Sequence, residues 1–423
     1  MRRHGDNGRV RDRLGPFRYT PFTAYWLGGM VSNSGTWLQS VTGSVYVYDR
    51  TGSALAVGVL NFAAFIPVLL FSVWGGSVSD RFDRRAVTVV THAVSLSLSL
   101  GLAAAIAAGV ATELHVIVVA FLLQTSWTIA KPSVTAMIPD LVPRAELTDA
   151  VGLNTLQFIT GQLVGPVSAT IILATAGPAW AFAINGLSYV APILAMVYLT
   201  RLGVGRGSAM TRRGRAPGGG ITGYIREQHW VVFALVVVTC TSAIFEVIRT
   251  TAPVLVSTRL GLPTNTAGLI VAAQSSGSAI ALLAFVPLQR LHLTRPLSSI
   301  GLILQAAGLV GLSLATSLPA AVAAAIPIGI GFSFCFPVVT GALQGEVPDA
   351  MRGRLMSLHQ MALLGHRPFT ALAAGAIAGS FGVPVAALVA ATVLVPVGMY
   401  AVRSAWRMLD ARPTTDAITV TAG

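Results

Sequence analysis

The sequence predicts an all-α membrane protein with twelve spanning helices in two pseudo-symmetric six-helix halves. Three observations lead there. First, 54% of the 423 residues are apolar and only 10% are Asp, Glu, Lys or Arg, where a soluble domain carries about 25% charged residues. Such a chain cannot build the polar shell of a soluble globule, and its apolar content excludes disorder. Second, the apolar stretches run for about 20 residues, the length that crosses a bilayer as a helix. Third, a polar Gly/Arg-rich stretch from Arg201 to His229 separates six such stretches from six more. Two Cys residues exclude a disulfide scaffold or a Cys-rich metal site.

The spans are bounded by charges and by Gly or Pro breaks. In the first half they fall at about 22–47, 53–78, 86–110, 114–138, 151–175 and 178–199. The first stops before Asp49-Arg50, the second before Asp80, and the third opens after Arg85. The fourth ends near Pro139, the fifth near Gly177, and the sixth at Arg201. The second half offers about 230–256, 264–289, 297–317, 319–343, 355–379 and 382–402. Arg259, Arg290, Arg354, Gly382 and Arg403 punctuate that half. The domain plan is a basic tail at 1–17, a helical bundle at 18–200, a linker at 201–229, a second bundle at 230–403 and a tail at 404–423. The Arg-rich start lacks a cleavable signal pattern, so the first helix is expected to be retained.

Net charge is +13, which in a soluble protein would suggest nucleic acid. The distribution of the charge argues otherwise. With the N-terminus in the cytoplasm, 23 of the 28 basic residues fall on cytoplasmic segments and only Arg50 and Arg259 on outer loops. That asymmetry predicts a multi-pass inner-membrane protein with both termini inside and no nucleic-acid partner. Overlaying the halves supports a duplicated origin. Ala56-Val57-Gly58 aligns with Thr266-Ala267-Gly268, Pro132 with Pro337, and Val142-Pro143 with Val347-Pro348, in the same order along both. Two six-helix repeats joined by a linker suit a secondary transporter with a central site near mid-bilayer.

Several segments carry a family resemblance. Gly76-Ser77-Val78-Ser79-Asp80-Arg81-Phe82-Asp83-Arg84-Arg85 resembles the loop signature of the major facilitator superfamily, with Asp83 where the general pattern has Gly. Ser32 to Gln39, Thr51 to Ala56, Ile138 to Pro143 and Val347 to Arg354 resemble an efflux branch that contains enterobactin-type siderophore exporters and macrolide-type pumps. The resemblance implies the major facilitator fold over roughly residues 17–403. In helix 5, Gly161-x-x-x-Gly165-Pro166 resembles the antiporter motif of exporters, without its trailing glycines; ordinary small-residue packing is the alternative. The R-x-x-x-G pattern of proton-linked relatives is absent from helix 4, and Thr36 stands where relatives often have an acid.

The loop also has a physical reading. Gly76 would let helices approach, Asp80 would face the N-terminus of a neighbouring helix, plausibly helix 11, and Arg81, Arg84 and Arg85 would meet Asp140. Together these form a conformational latch; the alternative is that the arginines only obey the positive-inside rule. Ionisable groups inside spans are costly and mark function. Glu246 and Arg249 lie three apart on helix 7, either as a proton or substrate site or as a structural ion pair. Lys131 on helix 4 either binds an anionic substrate, pairs with an acid or snorkels to the interface. His359 and His366 share a helical face, and His366 with Arg367 is a further proton or substrate candidate. Gln39, Trp37, Gln124, Trp127, Gln157 and Gln274 suit a broad amphiphilic cavity or, individually, packing.

No Walker sequence, H-E-x-x-H or C-x-x-C occurs, so neither ATP, a metal nor any other cofactor is expected. The expected function is proton-coupled export of a small amphiphilic compound by a monomer, its partners being that compound, protons and the bilayer. The rivals are a lipid-modifying enzyme, a transport-inactive receptor or assembly partner, and a uniporter or importer.

Overall fold

A computed structural model describes residues 15–205, 225–226, 228–290, 294–345 and 349–410. The basic tail before Gly15, most of the linker and the end of the C-tail lie outside the described residues, as do Val347 and Pro348. The first-half helices are α1 (Thr20–Thr51), α2 (Ala54–Arg81), α3 (Arg84–Ala107), α4 (Glu113–Ala136), α5 (Leu147–Thr175) and α6 (Pro178–Arg201), which has an irregular step at Tyr189. The second-half helices are α7 (His229–Thr258), α8 (Ala267–Arg290), α9 (Thr294–Leu314) and α10 (Leu318–Gly345). They continue as α11 in two segments, α11a (Asp349–Leu364) and α11b (Arg367–Phe381), and end in α12 (Val383–Asp410). Each expected span has its helix, and no strand occurs among the described residues.

Among the described residues, nine helices, α2 to α10, are long and apolar enough to cross a membrane. Their outward faces are apolar too. Leu70, Val90, Ile171, Leu283 and Ile303 are exposed, as helices that meet lipid require. Local signals set the ends. Gly52 closes α1 at φ 61°, a left-handed position that favours Gly. The Ser53 hydroxyl caps α2 by accepting from the Ala56 N–H at 3.2 Å, and the Asp83 carboxylate caps α3 through the Arg85 N–H at 2.9 Å.

The sequence reading treated helix 11 as continuous. The structure breaks it at Gly365 and His366. Pro368 has no N–H to offer the Leu364 carbonyl, and its ring crowds that carbonyl, so the helix stops and restarts. The break also separates the two histidines assigned to one face.

Packing follows the two halves. Helix α1 lies on α5, α2 on α4, and α3 on α6; in the other half α8 and α9 flank α10, and α9 meets α12. The halves join through α2 with α11b and α5 with α8. These crossings sit at the end that carries the α1–α2 turn and the α7–α8 turn. A Cβ on Gly58 would lie 2.9 Å from the Ala371 carbonyl oxygen, and one on Gly375 2.6 Å from that of Ala54. Backbones this close require glycine. At the opposite end α2 keeps an exposed face: Val73 and Trp74 are 78% and 69% exposed, and Asp80 and Arg81 are exposed too.

Candidate functional site

A charged cluster lies where the halves meet, midway along α7. The apolar run of α7 places Glu246 and Arg249 three residues apart, on one face. Glu246 is 2% exposed and Arg249 9%. They form an ion pair, Arg249 Nη2 to Glu246 Oε1 at 3.0 Å and Nε to the same oxygen at 3.2 Å. The guanidinium also reaches into the first half. Nη1 donates to Ser40 Oγ on α1 at 2.9 Å, and Nη2 donates to Asn61 Oδ1 on α2 at 2.8 Å. Asn61 in turn donates to Thr250 Oγ1 on α7 at 3.1 Å. One arginine thus ties three helices across the interface of the halves.

Arg367, the first residue of α11b, joins the cluster. Its guanidinium carbon is 5.2 Å from the centre of the Phe65 ring, and that of Arg249 is 4.5 Å from the same ring. His366 stands at the N-cap position of α11b and turns its side chain towards α7, where its Nε2 lies 2.6 Å from Ser242 Oγ. Its Nδ1 lies 3.0 Å from Thr370 Oγ1. His359, by contrast, is 1% exposed and meets Thr340 Oγ1 on α10 at 3.1 Å. The two histidines therefore face different helices.

Four of the five predicted charged candidates converge here: Glu246, Arg249, His366 and Arg367. Lys131 stands apart on α4, exposed, with its ammonium 5.5 Å from the centre of the Trp127 ring one turn earlier. Trp127 is itself 38% exposed and Gln124 partly exposed, so α4 presents a polar and aromatic face. Asn61, Phe65, Ser40, Ser242 and Thr250 were missed. Two signals were available: Asn61 is an amide in an otherwise apolar stretch of α2, and Ser242 repeats Ser32 in the other half.

The other cavity candidates fill structural roles. Gln39 is 8% exposed and accepts hydrogen bonds from Ser99 Oγ at 3.1 Å and from Asn185 Nδ2. It ties α1 to α3 and α6 inside the first half. Gln157 donates to the Trp26 carbonyl at 2.7 Å, and Trp37 packs edge-on to Phe158 at 5.9 Å. Both therefore pin α1 to α5. Gln274 is 1% exposed, in the packing of α8 on α10. Long polar side chains at cavity depth turn inward here, because each has a backbone or amide partner within its own half or a tightly packed neighbour.

The signature loop is also rearranged from expectation. The glycine of close approach is Gly75, whose Cβ would lie 2.6 Å from the Thr128 carbonyl oxygen; a Cβ on Gly76 would meet open space. Only Arg84 approaches Asp140, at 3.9 Å, while also donating to the Ala136 carbonyl at 3.0 Å. Arg85 turns to Asp83 at 2.8 Å and to the backbone at the end of α6. The hydrogen bond and charge of Arg85 hold the Asp83 carboxyl below the usual range. The side chains at the start of α11a lie outside the described residues, so the expected partner of Asp80 does too. In α5, a Cβ on Gly161 would lie 2.9 Å from Asn33 Cγ and one on Gly165 2.7 Å from the Ser34 carbonyl oxygen. Both glycines seat α1, and Pro166, buried, presents its carbonyl towards Gly268 of α8.

Comparison with known proteins completes the picture. A family described as transmembrane secretion effector, of the major facilitator type, matches residues 12–419. The chain belongs to this transmembrane secretion effector family of the major facilitator superfamily. Among its relatives, the multidrug efflux pump Tap of Mycobacterium tuberculosis is 24% identical over 393 residues, covering 88% of this chain and 90% of that one. The staphyloferrin A transporter of Staphylococcus aureus is 26% identical over 161 residues, 38% of this chain and 41% of that one. Macrolide efflux protein A of Streptococcus pyogenes is 25% identical over 155 residues, 36% and 37% of the two chains. The chain thus spans about two fifths of the length of these last two. Two solved structures share the fold. A bacterial homologue of the lysosomal transporter Spinster, inward-facing and occupied, superposes with a TM-score of 0.67 at 13% identity, over 95% of this chain and 99% of that one. A POT family transporter bound to a thioalcohol-conjugated peptide gives 0.72 at 11%, over 92% and 96%. The family and these relatives are transporters, so the all-α major facilitator fold inferred from the loop signature holds.

Proposed function

We propose that this protein exports a small amphiphilic compound across the bacterial inner membrane in exchange for protons, by rocking its two halves about the central cluster. One observation carries the reading: Arg249 on α7 is paired to a buried carboxylate and at the same time bonded to Ser40 and Asn61 of the opposite half. A buried carboxylate whose partner also spans the interface couples protonation to conformation. With Glu246 ionised, its charge fixes Arg249 in the geometry that also reaches α1 and α2. A proton on Glu246 removes that charge and frees the guanidinium, so the ties across the interface are redistributed and the halves can part. Breaking such a pair is worth about 3–5 kcal/mol, enough to shift a two-state equilibrium by two or more orders of magnitude.

The glycine-lined crossings of α2 with α11b and of α5 with α8 close one end, which the charge distribution assigns to the outside. The opposite end, where α2 keeps an exposed face, then faces the cytoplasm, from which an exporter loads. In this reading the first half runs from Gly15 to Arg201 and the second from His229 onward. The test is transport by purified protein in liposomes with an imposed pH gradient, using a macrolide, ethidium and citrate as probes. Gradient-dependent movement of at least one probe is expected. Movement of none, in vesicles shown to hold folded protein, would leave the reading without support.

A further inference from the structure

The spans hold three cations, Lys131, Arg249 and Arg367, but among the described residues Glu246 is the only deeply buried acid. That acid is already committed to Arg249, whose nitrogens also engage Ser40 and Asn61. Arg367 forms no ion pair among the described residues, and its Nε is buried without a hydrogen-bond partner. Both guanidinium carbons flank the Phe65 ring, so they lie no more than about 10 Å apart, near enough to repel in a low-dielectric interior. Arg367 is partly exposed as a residue, but its buried Nε has no acceptor, and contact with a ring face satisfies no N–H of the guanidinium. The cluster therefore carries one positive charge more than its own residues balance.

The backbone adds to that charge. The break in α11 places the N-terminus of α11b, a 15-residue helix, inside the membrane beside Arg367. The free N–H groups of such an end attract anions, and broken helices in transporters aim these ends at anionic substrate groups. Aromatic surface lies alongside: Phe369, 57% exposed, meets Phe62 of α2 edge-on at 6.0 Å.

We propose that Arg367, with Arg249 and the N-terminus of α11b, forms the docking point for a carboxylate or phosphate group of the transported compound, whose apolar part rests on Phe62, Phe65 and Phe369. The substrate class is an anionic amphiphile. The proposal rests on the transporter reading and names the substrate of that same site. It also explains why the second arginine is kept: the substrate supplies the missing negative charge.

The experiment is a thermal-unfolding titration of the purified full-length protein in detergent with citrate, inorganic phosphate and the uncharged trimethyl citrate. Citrate or phosphate should stabilise the protein and trimethyl citrate should not; which anion acts separates a carboxylate from a phosphate site. Arg367→Gln should weaken the apparent anion affinity by about tenfold or more, the range of a charge-assisted hydrogen bond. Stabilisation absent in the wild type, or unchanged in Arg367→Gln, overturns the proposal. If that variant does not fold, Arg367→Lys replaces it, with a smaller loss expected and an unchanged affinity counting against. Binding is read without transport, so failure of the anion site and failure of the transporter reading appear in different experiments.

Discussion

At the scale of single residues, the cluster makes asymmetric demands. Removing the Arg249 charge strands Glu246 in the interior, whereas removing both charges leaves a neutral, packed site. Arg249→Gln should therefore lower stability by about 3–5 kcal/mol, and the Glu246→Gln, Arg249→Gln double variant by clearly less. Thermal unfolding of both variants in one detergent measures this. A second residue-scale expectation concerns Asp83, outside the spans. Its pKa is lowered by Arg85, so its contribution is present above the usual Asp range and lost as pH falls through the lowered folded value. Asp83→Ala should cost about 1 kcal/mol at neutral pH through the lost helix cap. The gap to the wild type should narrow in acid, when Asp83 protonates. An equal gap at neutral and strongly acid pH would show that the charge of Asp83 plays no part. The sequence showed that Glu246 and Arg249 share a face, because helical spacing is local. It did not show that Arg249 reaches Asn61, 188 positions away in the chain, because only tertiary packing sets that distance.

At the scale of elements, every helix was legible in outline, because each is an apolar run closed by charge, Gly or Pro. The break in α11 was not, although its cause, Pro368, was in view. Proline kinks some helices and interrupts others, and the neighbours decide which. That one break explains the misplaced histidine face: His359 went to α10 and His366 to α7. The glycines divide the same way. Sequence alone could not distinguish Gly75 from Gly76, since which one meets α4 depends on the rotation of α2. Gly165→Leu should force α1 off α5 and sharply reduce the folded yield, whereas Gly76→Leu, in open space, should leave it near wild type at a cost within about 0.5 kcal/mol. Size-exclusion profiles of the detergent-extracted variants report the difference. Gly58→Leu is expected to keep the α2–α11b crossing from closing, cutting transport, and to lower stability by about 1–3 kcal/mol.

At the scale of the whole molecule, a composition of 54% apolar and 10% charged residues predicts lipid as solvent, and the apolar outward faces agree with it. The cavity was the least legible part. Polar side chains at the right depth were abundant, but Gln39 and Gln157 satisfy their own half, and packing decides which amides are spent that way. What remains across the interface is small: one carboxylate, two arginines, an asparagine and a serine, around one phenylalanine ring. Protonation of that carboxylate is the step proposed to drive the exchange of the two halves. The most direct measurement compares wild type and Glu246→Gln in the same proteoliposomes, in two modes: flux driven by a pH gradient, and exchange of labelled for unlabelled substrate without one. If Glu246 carries the coupling proton, Glu246→Gln loses gradient-driven flux and retains exchange. Gradient-driven flux at the wild-type rate in that variant would contradict it.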